Sequence, residues 1–165
     1  MPMLDVYITD GALHPGAEAA LLNQITEILI RHEGFDPASQ VARAASWVFL
    51  HRQATVYVGG SPEDAPHYKV VASVPEGQLD EKARAGVIAD VTEAILDAED
   101  GAWPRDAGRI WVFPTEIPEG CWGGRGQATP LATILARLAG HDAGQARALA
   151  AQRIAASRAA RTRLP

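Results

Sequence analysis

A proline stands directly after the initiator methionine in Met1-Pro2-Met3-Leu4-Asp5-Val6-Tyr7-Ile8-Thr9-Asp10. A small second residue favours removal of Met1, and Pro2 would then carry a free secondary amine at the start of a strand. No internal residue supplies such a base. Its reference pKa is that of an α-amino group, roughly 8, and an apolar pocket or a neighbouring cation lowers it. The neutral amine is then available at pH 7 to take a proton from an enol hydroxyl, or from a carbon beside a carbonyl, and to return it elsewhere on the same molecule. The plainer reading of Pro2 is a residue tolerated at an edge strand, where a missing N–H costs little.

A base of this kind cannot by itself hold an anionic substrate or stabilise negative charge as it develops. Arg52, Arg109 and Arg125 are the candidate cations, because they fall at strand ends or in a glycine-rich hairpin, with Lys69 and Arg43 behind them. Glycines on both sides of Arg125 allow its backbone to approach a ligand closely. His51 is a candidate proton donor at a strand end. The other four histidines, His14, His32, His67 and His141, share no spacing, so neither a metal nor another cofactor is expected. Cys121, the one cysteine, has no histidine partner in its motif.

The elements that position these groups follow from length and pattern. At 165 residues, with 47% hydrophobic and 21% charged side chains, the chain suits one compact core. No apolar run approaches a membrane span and none follows a basic N-terminal region, so a cytoplasmic protein without membrane contact is expected. Charge is divided unevenly: nineteen acidic residues lie before position 129, whereas the remainder holds Asp142 and six arginines. That basic tail lacks aromatic residues to stack on bases, so no nucleic-acid partner is expected. A helical extension against the acidic core or a neighbouring subunit is the simpler reading.

An internal repeat organises the core. Val6-Tyr7-Ile8 reads as a strand ending at Asp10-Gly11, and Leu21, Leu22, Ile25, Ile28 and Leu29 mark a helix from about Pro15 to His32. Ser46 to His51 reads as a second strand, and Thr55 to Gly60 as a short one closing on a glycine pair. The same order returns with a strand over Tyr68 to Val74, a Glu76-Gly77 turn, a helix carrying Val87, Ile88, Val91, Ile95 and Leu96, and the strand Ile110 to Phe113. Thr26-Glu27 and Thr92-Glu93 share a 66-residue offset with the two acid-glycine turns, while Trp47-Val48-Phe49 and Gly59-Gly60 return 64 residues later. The expected fold is α+β: two fused β-α-β units, about 2–60 and 68–126, forming one four-stranded sheet with two helices on one face. Right-handed crossovers would make the long strands within each unit parallel.

The segments Val74-Pro75-Glu76-Gly77-Gln78, Val91-Thr92-Glu93-Ala94-Ile95 and Thr115-Glu116-Ile117-Pro118-Glu119-Gly120-Cys121-Trp122-Gly123-Gly124 resemble a 4-oxalocrotonate tautomerase subunit. With Pro2 and the duplication, residues 1–128 are similar to the fused members of the tautomerase superfamily, such as cis-3-chloroacrylic acid dehalogenase and malonate semialdehyde decarboxylase. The resemblance implies a small-molecule substrate, a homotrimer whose copies cover each other's strand edges, and keto-enol tautomerisation with Pro2 as base. It also implies a pocket-lining role for Trp122 and, by analogy with the dehalogenase, a water-positioning role for Glu116. Decarboxylation or hydration by the same superfamily is the first alternative; a non-catalytic trimeric scaffold is the second.

The chain departs from its relatives where their arginines stand. Those positions hold Ala12, Pro75, Gln78 and Trp111, and the dehalogenase helix histidine corresponds to Leu29. A substrate carboxylate must therefore meet other cations. Arg52 takes the repeat position of Glu116, so equivalent places in the two units differ in charge. The tail, residues 129–165, reads as two helices. The first has Thr129 as cap and Pro130 at the first helical position and ends at Gly140; the second is Ala- and Arg-rich, with fraying expected toward Pro165.

Overall fold

The computed structural model describes residues 3–162. Pro2 thus lies outside the described residues, as does the chain end where fraying was expected.

Alternation builds the sheet. In β1 (Met3–Thr9), Leu4, Val6 and Ile8 are buried while the residues between them are half-exposed. α1 (Pro15–His32) buries Leu21, Ile25, Ile28 and Leu29 against that face, starting at a His14 cap and ending at Glu33. A short helix, α2 (Gln40–Ala44), capped by Ser39, occupies the loop before β2 (Trp47–Gln53). The hairpin of β3 (Val56–Val58) and β4 (Ser61–Glu63) then leads to β5 (Tyr68–Pro75). α3 (Glu81–Ala98) and β6 (Ile110–Ile117) complete the second unit, followed by the hairpin of β7 (Gly123–Gly124) and β8 (Gln127–Ala128).

The sheet order is β2-β1-β5-β6, parallel within each unit and antiparallel where β1 meets β5. This is the α+β arrangement the repeat implies. The correspondence is close: α1 and α3 have the same length at the 66-residue offset, and the registers Met3↔Trp47 and Lys69↔Trp111 are equivalent. The glycine pairs differ. Gly59-Gly60 forms the turn of its hairpin, whereas Gly123-Gly124 is itself a strand and Arg125-Gly126 makes the turn.

Both long helices cover one sheet face. The other face presents Trp47 against Phe49 and Trp111 against Phe113, two edge-to-face aromatic pairs at equivalent positions. All four side chains are exposed, Trp47 by 64% and Trp111 by 67%. Scattered apolar side chains on a surface need no explanation, whereas exposed aromatics grouped on one face are less usual.

The tail lies against its own chain. α4 (Leu131–Ala139) and α5 (Ala143–Arg161) enclose a second apolar cluster with Ile30, Phe35 and Ala42. Pro130 is the cap of α4 and not its first helical residue; having no side-chain acceptor, it leaves the Leu131 N–H to the Glu119 carboxylate at 3.2 Å. Gly140 ends the helix in the left-handed region, as its place in the sequence suggests. Among the described residues no helix is long and apolar enough to cross a membrane.

Candidate functional site

The N-terminal end of β1 is the place to which Pro2 is bonded. Met3 pairs with Trp47 on one side and Ser73 on the other, and odd-numbered residues of β1 face away from the helices. On that side a cavity of about 350 Å³ opens, lined by Met3, Trp47, Phe49, Trp122, Arg125 and Arg137. Trp122 and Arg125 arrive on the β7–β8 hairpin, whose two-residue turn puts Arg125 at φ 54° and Gly126 at φ 79°. Positive φ at both positions defines a type I′ hairpin turn, a conformation a non-glycine residue rarely adopts. Arg137 comes from the last turn of α4. Aromatic walls lower the local dielectric, so a carboxylate meeting either guanidinium there would be held more strongly than in water.

The other sequence candidates lie elsewhere. Arg52 is clamped by Glu18 through bonds of 2.5 and 2.8 Å at the far end of β2, which holds the Glu18 carboxyl below its usual range. His51 bonds Asp5 at 2.7 Å and stacks on Tyr7 with ring centroids 4.3 Å apart, in the middle of the open face. Lys69 sits over the same Tyr7 ring at 3.7 Å.

Arg109 is buried. Its guanidinium donates to both oxygens of Glu99 at 2.6 Å and to the carbonyls of Pro66 and Pro104, while the Tyr68 hydroxyl donates to Glu99 at 2.9 Å. Burial first, and the Glu99 bond second, push the Tyr68 hydroxyl up. Every strong donor of Arg109 shown here is directed at its own chain, so it serves the second unit's core.

Glu116 is engaged below α5. It accepts from the Gly77 N–H at 2.9 Å, Ser157 Oγ at 2.6 Å and Arg161 at 3.2 Å. Glu76, 2% exposed, accepts from Arg158, Arg161 and the Glu119 N–H; these contacts, led by Arg158, hold its carboxyl down at about 2. The two carboxylates thus dock the tail helix. Arg52 and Glu116, equivalent in the repeat, do not meet.

Three groups escaped the reading of the sequence. Arg137 and Arg153 counted only as tail charge. Glu33, the C-cap of α1, is 1% exposed, and burial pushes its carboxyl up. The signal for Glu33 was present, since Glu99 stands 66 residues later at the C-cap of α3 and is also buried. Among the described residues no cluster of His, Cys, Asp or Glu is arranged to hold a metal.

The chain has the tautomerase and macrophage migration inhibitory factor fold. A fused 4-OT solved as a symmetric trimer superposes with a TM-score of 0.63 at 20% identity, covering 84% of this chain and 99% of that one. A protein solved after inactivation by 2-oxo-3-pentynoate gives 0.62 at 19% identity over 77% of this chain and 94% of its own. Macrophage migration inhibitory factor of Toxoplasma gondii gives 0.59 at 13% identity, over 77% and 99%. No protein-family model and no curated protein sequence matches the chain.

Proposed function

We propose that this chain is a member of the tautomerase superfamily and a keto-enol tautomerase, with Pro2 as general base once Met1 has been removed. The observation that carries this reading is the cavity at the start of β1. It joins Met3, the residue to which Pro2 is bonded, with an aromatic wall at Trp122 and two arginines in the lining, Arg125 and Arg137.

The substrate is a small oxo acid or pyruvate-like enol. Its carboxylate meets Arg125 or Arg137, which replace the cations missing from Ala12, Pro75, Gln78 and Trp111. The Pro2 amine takes the enol hydroxyl proton as the carbonyl forms, then delivers it to the neighbouring carbon. No proton is gained or lost overall. The aromatic walls keep the amine neutral by disfavouring its charged form. Glu116 is not needed as a water-positioning group here, since its oxygens secure α5.

The test is the ultraviolet-followed ketonisation of phenylenolpyruvate and 2-hydroxymuconate, on protein whose mass shows Met1 gone. Pro2→Ala is expected to lose the rate enhancement, by roughly 10²–10⁴-fold for removal of a general base. Equal background rates for wild type and variant would overturn the tautomerase reading.

The reading includes a cytoplasmic homotrimer. Three copies would bury the open aromatic face, which carries Trp47, Phe49, Trp111 and Phe113. Trp111→Asp places a charge in that contact, and sedimentation is expected to show a monomer at concentrations where the wild type is trimeric. A trimeric variant would show that this face is not the interface.

A further inference from the structure

The cavity at the start of β1 has a counterpart at the other end of the sheet. An offset of 66 residues carries Met3 onto Lys69, and an offset of 64 carries Trp47 onto Trp111 and Gly59 onto Gly123. The register Lys69↔Trp111 repeats Met3↔Trp47, and because β5 runs antiparallel to β1 the two pairs lie at opposite ends. Each hairpin reaches the leading strand of the other unit. The β7–β8 hairpin lines the cavity at Met3, and Tyr57, Val58 and Gly59 of the β3–β4 hairpin line one at Lys69. This second cavity measures about 460 Å³, inside the range of about 300–1,000 Å³ usual for small-ligand sites.

Its lining has the chemistry of an anion site with aromatic walls. Tyr7, Tyr57 and Trp111 supply ring surface, Lys69 supplies charge, and Gln53 and His67 add polar groups. Among the described residues no aspartate or glutamate lines it, although the chain carries a formal net charge of −5. Arg109 also borders the cavity, but its guanidinium is taken up by Glu99 and two carbonyls. Lys69 is differently placed. Among the described residues it makes no ion pair, and its ammonium rests 3.7 Å from the centre of the Tyr7 ring. An ammonium has three donors, so one side can face a ring while another meets an acceptor. Contact with the ring also holds the flexible stem, which lowers the cost of ordering it around a ligand.

The two cavities draw their cations from different repeat positions. Arg125 corresponds to Ser61, and Met3 to Lys69, so the positive charge stands on the hairpin in one and on the strand in the other, while each keeps its tryptophan. A single ammonium is a compact point charge and suits one carboxylate. Tyr68, at the head of β5, has an amide nitrogen, and its hydroxyl is committed to Glu99, so the terminal-amine chemistry of the first cavity has no counterpart here.

We propose that this cavity is a second ligand site, for a small aromatic monocarboxylate whose carboxylate meets Lys69 and whose ring is covered by Tyr7, Tyr57 and Trp111. The site goes beyond the tautomerase reading and does not depend on it. Trp111 is shared with the aromatic face assigned to the trimer contact, so the test leaves Trp111 in place and changes Lys69.

The experiment is a titration of ¹⁵N-labelled, full-length protein with benzoate, followed by amide NMR. The amides of Tyr57, Val58, Gly59 and Lys69 report on the second cavity, and those of Gly123, Gly124 and Arg125 on the first. The Gly59 group is expected to shift saturably in the wild type. Lys69→Met keeps most of the stem and removes the charge, and should raise the dissociation constant read there about tenfold or more, as for loss of a hydrogen bond to a charged group. Lys69→Arg should keep most of the affinity, and Arg125→Met should leave it unchanged. Each variant is to match the wild type in circular dichroism and sedimentation. Ligand comparison on the wild type stands apart from the variants: benzamide, which has the ring without the charge, should bind about tenfold more weakly, and acetate, the charge without the ring, more weakly too. Shifts confined to Gly123, Gly124 and Arg125 overturn the proposal, as does equal benzoate affinity at Gly59 in wild type and Lys69→Met, or benzamide or acetate binding there as tightly as benzoate. The ketonisation assay of Pro2→Ala bears on the first cavity alone.

Discussion

Arg109→Ala is expected to lower the free energy of unfolding by about 3–5 kcal/mol, the usual cost of removing one partner of a buried ion pair. The reason lies in what remains. Glu99 is 4% exposed and, among the described residues, would keep the Tyr68 hydroxyl alone as side-chain donor to its two carboxylate oxygens. The carbonyls of Pro66 and Pro104 would lose their donor as well. Arg109→Lys should recover little, because an ammonium cannot reproduce the fork that meets both oxygens at 2.6 Å. Denaturant unfolding at fixed protein concentration checks this, since an oligomer's apparent stability depends on concentration. Arg125→Ala is the contrast: exposed at a hairpin tip, it should leave unfolding nearly unchanged and raise KM for an acidic substrate. If Arg109→Ala is as stable as wild type and binds substrate poorly, the two arginines have been assigned the wrong way round.

That contrast shows where the sequence was legible. Periods of two and of 3.6 residues, repeated at a fixed offset, locate four strands and two helices because burial on one face acts on every turn of the pattern. The offset even matches the helix ends, since His14 and Asp80 cap the two helices and Glu33 and Glu99 close them. Single charged residues carry no such pattern. Arg52, Arg109 and Arg125 look alike in sequence, each at a strand end or turn; what separates them is whether Glu18, Glu99 or open space stands opposite, and that depends on how the elements pack. α2 was hidden because five residues are too few to show a helical period. Glu33 was hidden by a prior: a glutamate at a helix end reads as solvated, although its counterpart Glu99 offered a second instance. The partners of Arg158 and Arg161, Glu76 and Glu116, lie tens of residues away. Composition gave the opposite signs of core and tail but not the pairing.

Gly77→Ala should detach α5, and the geometry gives the reason. Gly77 has φ +81°, where an L side chain is strained, and a Cβ added there would come within 2.8 Å of both the Arg153 carbonyl carbon and the Ile154 nitrogen. Those are backbone atoms of a helix and cannot rotate aside, so the helix must move or the turn must reshape. Overpacking of this kind costs about 1–3 kcal/mol. Moving α5 also withdraws Arg158, Arg161 and Ser157 from Glu76 and Glu116, which turns a local clash into loss of the whole contact. Gly101→Ala is the matched control, with φ +75° and no atom within 4 Å of its Cβ position, so it carries the strain without the clash. Tryptic cleavage at Arg153 and Arg158 should therefore be faster in Gly77→Ala than in Gly101→Ala. Acid should expose the same sites in the unaltered chain. The Glu76 carboxyl is depressed from 4.5 to about 2, so its contribution is full above 4.5 and is lost as pH falls toward 2. An acid-stable protease should find α5 resistant near pH 5 and increasingly open below pH 4. Equal cleavage of the two glycine variants would mean that the close approach of Arg153 to the Glu76-Gly77 turn does not hold the helix, and that the ion pairs alone do.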